Sequence, residues 1–113
     1  MRLKDKRILV VGASSGLGRE SGFALAREGA RVAFAARRVD RIEAAARQAG
    51  GGAFALPCDV RDEASCRAMV ASAVAQMGGL DALVYAPGIS TFGPIEEIDA
   101  ASWHDCFATN VIG

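Results

Sequence analysis

The sequence predicts an α/β fold, one half of a doubly wound parallel sheet, and three observations carry that prediction. Four short apolar runs, 8–11, 32–35, 53–56 and 82–85, do not alternate with polar residues, as expected of strands covered by helices on both faces. A helical pattern follows each run, so the order reads β-α-β-α-β-α-β-α. A glycine-rich turn lies directly between the first run and the first helical pattern. Right-handed crossovers between parallel strands then give the strand order 3-2-1-4.

The elements follow in order. Residues 1–7 are charged, and Asp5 interrupts the basic run, so they read as a solvated lead-in rather than a nucleic-acid or lipid contact. The apolar run behind them is too short for a signal or a spanning helix. Leu17, Ser21, Ala24, Leu25 and Glu28 share one helical face, closed by Gly29; glycine accepts the left-handed conformation in which helices commonly end. The second helix covers about Val39 to Ala49 and ends in Gly50-Gly51-Gly52. The third starts near Asp62-Glu63, acids that favour a helix N-terminus, and ends at Gly78-Gly79. The segment Ala86 to Glu97, punctuated by Pro87, Gly88, Gly93 and Pro94, is the one linker long enough for a functional loop. A fourth helix begins near Asp99 and runs to Gly113; Trp103 and Phe107, four apart on it, are expected in the core or at a subunit contact. His104 is expected on its surface and Asp81 in a turn. Residues 1–113 read as a single domain. The unfinished helix and the open edge of strand four mark it as the N-terminal part of a longer protein.

Thirteen Lys and Arg balance thirteen Asp and Glu. Zero net charge argues against a general nucleic-acid binder, which needs a basic surplus to displace counterions. Hydrophobic residues at 51% and charged residues at 23% fit a soluble globular protein with no membrane partner. Cys58, Cys66 and Cys106 are odd in number and include no C-x-x-C pair. That excludes a disulfide framework and a zinc site, leaves no metal site expected, and suits a reducing cytoplasm.

The glycine turn reads Val11-Gly12-Ala13-Ser14-Ser15-Gly16-Leu17-Gly18, a G-x-x-x-G-x-G spacing. Gly12 can turn sharply out of the strand, Gly16 lets backbone approach a phosphate, and Gly18 lets the helix pack on the sheet. Free N–H groups and the helix dipole favour a pyrophosphate there, with Ser14 and Ser15 adding hydroxyls. A P-loop is excluded, because Leu17-Gly18-Arg19 stands where Gly-Lys-Ser/Thr is required. Following a strand and opening a helix, Gly12, Ser14, Ser15, Gly16, Leu17 and Gly18 are expected to bind a dinucleotide.

An NAD site usually carries an acid at the end of strand two for the ribose 2′-hydroxyl. Here that strand ends Ala35-Ala36-Arg37-Arg38. Arg37 and Arg38 offer planar forks suited to a 2′-phosphate, so the coenzyme reads as NADP; alternatively they are the wet side of helix two. Asp59 and Val60, after strand three, suit an adenine pocket, with Asp59 accepting from the amino group; the alternative for Asp59 is a cap on helix three.

These residues resemble the short-chain dehydrogenase/reductase family. Its T-G-x-x-x-G-x-G signature matches Val11 to Gly18 apart from Val11, and Arg37 falls where NADP-preferring members carry a basic residue. Asp59-Val60 matches its adenine-pocket pair. Leu83 to Gly88 aligns with L-V-N-N-A-G, of which Gly88 alone survives from the N-N-A-G part. Asn110 matches the tetrad asparagine of its N-x-x-G helix. The resemblance implies a Rossmann fold, with Ala86, Pro87 and Gly88 among the coenzyme-binding residues and Asn110 holding a water in the proton relay. It implies hydride transfer between a nicotinamide and a small alcohol or carbonyl substrate, in a homo-oligomer, dimer or tetramer. The family's Y-x-x-x-K pair is not in these residues: the one tyrosine, Tyr85, is followed four residues on by Ile89. The chain alone is therefore expected to bind coenzyme without turnover. The alternative is a non-catalytic dinucleotide-binding module.

Overall fold

The computed structural model describes residues 1–113. Four parallel strands, β1 (Arg7–Val11), β2 (Arg31–Ala36), β3 (Phe54–Pro57) and β4 (Ala82–Tyr85), form one sheet in the order β3-β2-β1-β4. Helices α1 (Gly16–Arg27), α2 (Val39–Ala49), α3 (Glu63–Met77) and α4 (Ala100–Phe107) alternate with them. The predicted fold, the strand order and the Rossmann alternation are all present. No helix is long and apolar enough to cross a membrane.

Side chains along a strand point alternately to the two faces, and each face of this sheet has its own cover. Ile8, Val10, Val32 and Phe34 share a cluster with Phe23 of α1 and Ile42, Ala45 and Ala46 of α2. Leu9, Val11, Ala33, Ala35 and Leu56 share another with Met69, Ala73 and Met77 of α3. Beyond the half-buried Arg7 and Arg31 that open them, neither face reaches water in β1 and β2, so both strands continue as unbroken apolar runs. Phe34 is fully buried, 5.9 Å from the Phe23 ring and pressed against Gly22, where a β-carbon would strike its ring.

Several expectations change. β4 pairs with β1 alone, and its Leu83 is 55% exposed, so the prediction of strands covered on both faces fails there. The fourth helix is α-helical only to Phe107; residues 108–112 form a π turn, in which the Gly113 amide donates to the Ala108 carbonyl at 2.8 Å. Ile95–Glu97, inside the expected linker, form a 3-10 turn. Trp103 and Phe107 are not core residues of this chain, being 47% and 54% exposed. Asp81 is no mere turn residue. Its carboxylate accepts from the Arg7 amide and guanidinium at 2.8–3.1 Å, clamping β1 to the turn before β4.

Candidate functional site

All four strands end at one edge of the sheet, and the loops leaving them build the site. β1 lies between β2 and β4, so successive connections leave it on opposite sides and a cleft opens between the loops, the usual ligand position in such sheets. The chain turns at Gly12 with φ of 81°, a region that favours glycine. A β-carbon at Gly12 would collide with the backbone of Ala86 and Pro87, so the loops after β1 and β4 are in contact. The Ala86 amide donates to the Val11 carbonyl at 2.9 Å, and the Gly12 and Ala13 amides donate to Ala35 at 2.9 and 3.1 Å. Gly16 has φ of 57°, and no atom lies near where its β-carbon would stand. Gly18 sits on the Gly12 carbonyl, where any β-carbon would overlap it.

The first turn of α1 is left open. Ser15 occupies the N-cap position in extended conformation, yet its side chain makes no capping bond, and the turn contains no acid. By contrast, Asp62 caps α3 by accepting from the Ala64 amide, and Asp99 caps α4 by accepting from Ser102. The uncapped N–H groups and the positive end of the dipole make this turn an anion acceptor. Beside it Leu17 is 85% exposed.

A cleft of about 240 Å³ runs along the strand ends. It is lined by ten of the expected coenzyme residues: Gly12, Ser14, Ser15, Arg37, Arg38, Asp59, Val60, Ala86, Pro87 and Gly88. Gly16, Leu17 and Gly18 continue from Ser15 into α1 and are not on its wall. Asn110 is also off that wall. It borders a neighbouring apolar pocket of about 160 Å³ with Trp103, Cys106 and Phe107. Its amide is held at both ends by the Ile89 backbone, Oδ1 accepting from the amide and Nδ2 donating to the carbonyl, each at 2.8 Å. Ile89 lines the cleft, so Asn110 stands one residue behind it.

Arg37 and Arg38 are exposed and enter no ion pair. Asp59 accepts from the Arg61 amide, Nε and a terminal guanidinium nitrogen at 2.9–3.1 Å. The Arg61 side chain is the main cause that lowers the Asp59 carboxyl to about 2, with a smaller pull from the Arg37 charge. Asp59 is thus an acceptor at neutral pH. It does not cap α3; Asp62 does. Arg61 also donates to Asp105 at 2.8 Å, tying the loop after β3 to α4, and is held charged by both carboxylates. Burial pushes the Cys58 thiol up to about 11, so it is no nucleophile.

Arg61, Ile89 and Thr109 also line the cleft and were not foreseen. Arg61 had a local signal in its Asp-x-Arg spacing from Asp59; Ile89 and Thr109 had only their adjacency to the Gly88 and Asn110 motifs.

A family profile for short chain dehydrogenase matches residues 6–113. A sorbitol dehydrogenase of Cereibacter sphaeroides is 39% identical over 113 residues, covering 100% of this chain and 44% of that protein. A D-threitol dehydrogenase of Mycolicibacterium smegmatis is 37% identical, covering 99% of this chain and 44% of its own length. A short chain dehydrogenase of Burkholderia cenocepacia, solved in complex with NADP, superposes with a TM-score of 0.94 at 31% identity, over 99% of this chain and 47% of that one. The chain spans about half the length of these relatives or slightly less. With its glycine turn, its strand order and a profile match over nearly all of its residues, this chain belongs to the short-chain dehydrogenase family.

Proposed function

We propose that this chain binds NADP and forms the coenzyme-binding part of an oxidoreductase that interconverts a small-molecule alcohol and carbonyl by hydride transfer. The observation that carries the proposal is the uncapped first turn of α1, opening beside a cleft that two unpaired guanidinium groups also line. A pyrophosphate satisfies the amides of Gly16, Leu17 and Gly18 together with the Ser14 and Ser15 hydroxyls. Arg37 and Arg38 hold a 2′-phosphate, and Asp59 and Val60 hold adenine, the ionised Asp59 accepting from its amino group. Ala86, Pro87 and Gly88 wall the cleft on the β4 side. When bound, the coenzyme supplies the hydride acceptor or donor. Asn110 ties Ile89 to the π turn and so keeps the end of α4 beside the cleft. The NADP complex of the Burkholderia protein supports the choice of coenzyme. Exposed Trp103 and Phe107 support a homo-oligomer, and three free thiols support a reducing cytoplasm.

Calorimetric titration of the protein at its natural length tests this. NADPH is expected to bind and to be preferred over NADH. Heat with neither coenzyme overturns the proposal, and preference for NADH overturns the assignment of Arg37 and Arg38. The 113 residues alone are expected to show no turnover, because four residues after Tyr85 stands Ile89 rather than lysine; NADPH-dependent carbonyl reduction by them refutes that.

A further inference from the structure

Thr109 is the one buried polar side chain in the chain, at 8% exposure. It lines the coenzyme cleft, and the side-chain hydrogen bond made at this residue goes to its carbonyl and leaves its hydroxyl without a protein partner. The hydroxyl is not sealed inside the protein, and the cleft is the open space that Thr109 borders. A hydroxyl with no protein partner on an otherwise buried residue at the cleft is available to a ligand group.

The backbone around Thr109 is held from two sides. In an α-helix the Gly113 amide would donate to the Thr109 carbonyl; in the π turn it donates to Ala108 instead. The phenol of Tyr85, the last residue of β4, donates to the Thr109 carbonyl at 2.6 Å. Burial raises the Tyr85 phenol above its ordinary value, so it remains a donor at neutral pH. The next residue, Asn110, is pinned to Ile89. Gly113 approaches both the Val60 carbonyl and the Tyr85 phenol, which sets the turn against the adenine side of the cleft. Tyr85 is also the residue that stands where the family motif places an asparagine.

We propose that Tyr85 is a positioning residue that latches the π turn and presents the Thr109 hydroxyl to the adenosine half of the coenzyme. The inference rests on the coenzyme reading above and names a contact within that site. The hydroxyl donates to or accepts from a polar group of the adenosine, and the phenol never touches the ligand.

The test uses the protein at its natural length and calorimetry with two half-coenzymes, 2′,5′-ADP and reduced nicotinamide mononucleotide. Thr109→Val keeps the shape and removes the hydroxyl; affinity for 2′,5′-ADP is expected to fall about tenfold, with binding of the mononucleotide unchanged. Thr109→Ser is expected to rescue it to within about twofold. Tyr85→Phe removes only the latch and is expected to weaken 2′,5′-ADP by several fold, with little further loss when Thr109→Val is added, because both act through one hydroxyl. A merely structural tyrosine would give additive losses, or losses with both half-coenzymes. Either result overturns the proposal, as does wild-type affinity in Thr109→Val. Should Tyr85→Phe not fold, the Val and Ser pair still decides whether the hydroxyl binds, and Tyr85→Asn replaces it as the latch variant. Wild-type protein that binds NADPH but is indifferent to Thr109→Val refutes this inference alone; wild-type protein that binds no coenzyme refutes the reading beneath it as well.

Discussion

Replacing Arg37 by alanine isolates the 2′-phosphate from everything else the cleft does. Arg37 is exposed and enters no ion pair, so its loss is expected to change folding stability by no more than about 0.5 kcal/mol. A charge-assisted hydrogen bond is worth about 1.5–3 kcal/mol, equivalent to a factor of roughly 10 to 150 in affinity. Exposure and salt screening move the expectation toward the lower end, so NADPH binding should weaken by about tenfold near physiological ionic strength. NADH carries no 2′-phosphate, and its affinity should stay within about twofold. Paired titrations with both coenzymes, at two salt concentrations, read the effect directly. The NADPH loss should shrink as salt rises, because wild type loses the screened contact and the variant has none to lose. Equal loss for the two coenzymes, or unchanged NADPH affinity, would refute the assignment of Arg37 to the phosphate.

Other outcomes follow from the same geometry. Gly12→Ala combines a left-handed φ with a collision against the Ala86 and Pro87 backbone; a loss of about 2 kcal/mol or more is expected in chemical denaturation, and wild-type stability would sink that account. Phe34→Ala empties the centre of one core cluster and should cost about 3–5 kcal/mol in the same assay. Asp59 and Asp81 both have folded-state pKa values depressed by arginine partners, Asp59 to about 2. A depressed acid contributes stability above its unfolded pKa and loses it as pH falls through the folded one. Melting temperature should therefore drop between about pH 5 and pH 2, and Arg61→Ala should flatten the part of that slope owed to Asp59. An identical acid slope in that variant would show that Arg61 is not the cause.

Strands β1 and β2 were legible because covering both faces leaves polar residues nowhere to go, and the runs 8–11 and 32–36 show it. Helix α2 was legible at about its observed bounds, Val39 to Ala49, because three glycines after it mark a change of chemistry at its end. The glycine turn was legible because each glycine answers a local steric demand. What escaped was set at a distance. The π turn after Phe107 depends on the Tyr85 phenol and the Ile89 backbone, more than twenty residues earlier, and a 3.6-residue periodicity contains no trace of either. Asp81 looked like a turn residue because its partner, Arg7, lies 74 residues away. Asp59 looked equally like a ligand or a cap. Asp62 took the cap, because its carboxylate reaches the Ala64 amide while Arg61 occupies Asp59.

The two edges of the sheet differ in which arginines they leave without partners, and the contrast argues for function at one of them. At the edge where strands begin, Arg7 is spent on Asp81 and on the Gly78 carbonyl at 3.0 Å. Arg31 there donates to Gly52 and Gln76 at 3.2 and 3.0 Å while lying over the Phe54 ring. These arginines stitch β1 and β2 to the segments that lead into β3 and β4. At the edge where strands end, Arg61 is likewise spent on Asp59 and Asp105, but Arg37, Arg38 and the first turn of α1 have no such partners, although Asp40 and Glu20 are near in sequence. A chain that satisfies arginines so fully at one edge has the means to do so at the other. Leaving the α1 amides and two guanidinium groups open around one cleft makes sense if an anion completes them. Gly12 and Pro87 hold that cleft's two banks together, proline bringing no N–H to be stranded at the point of closest approach.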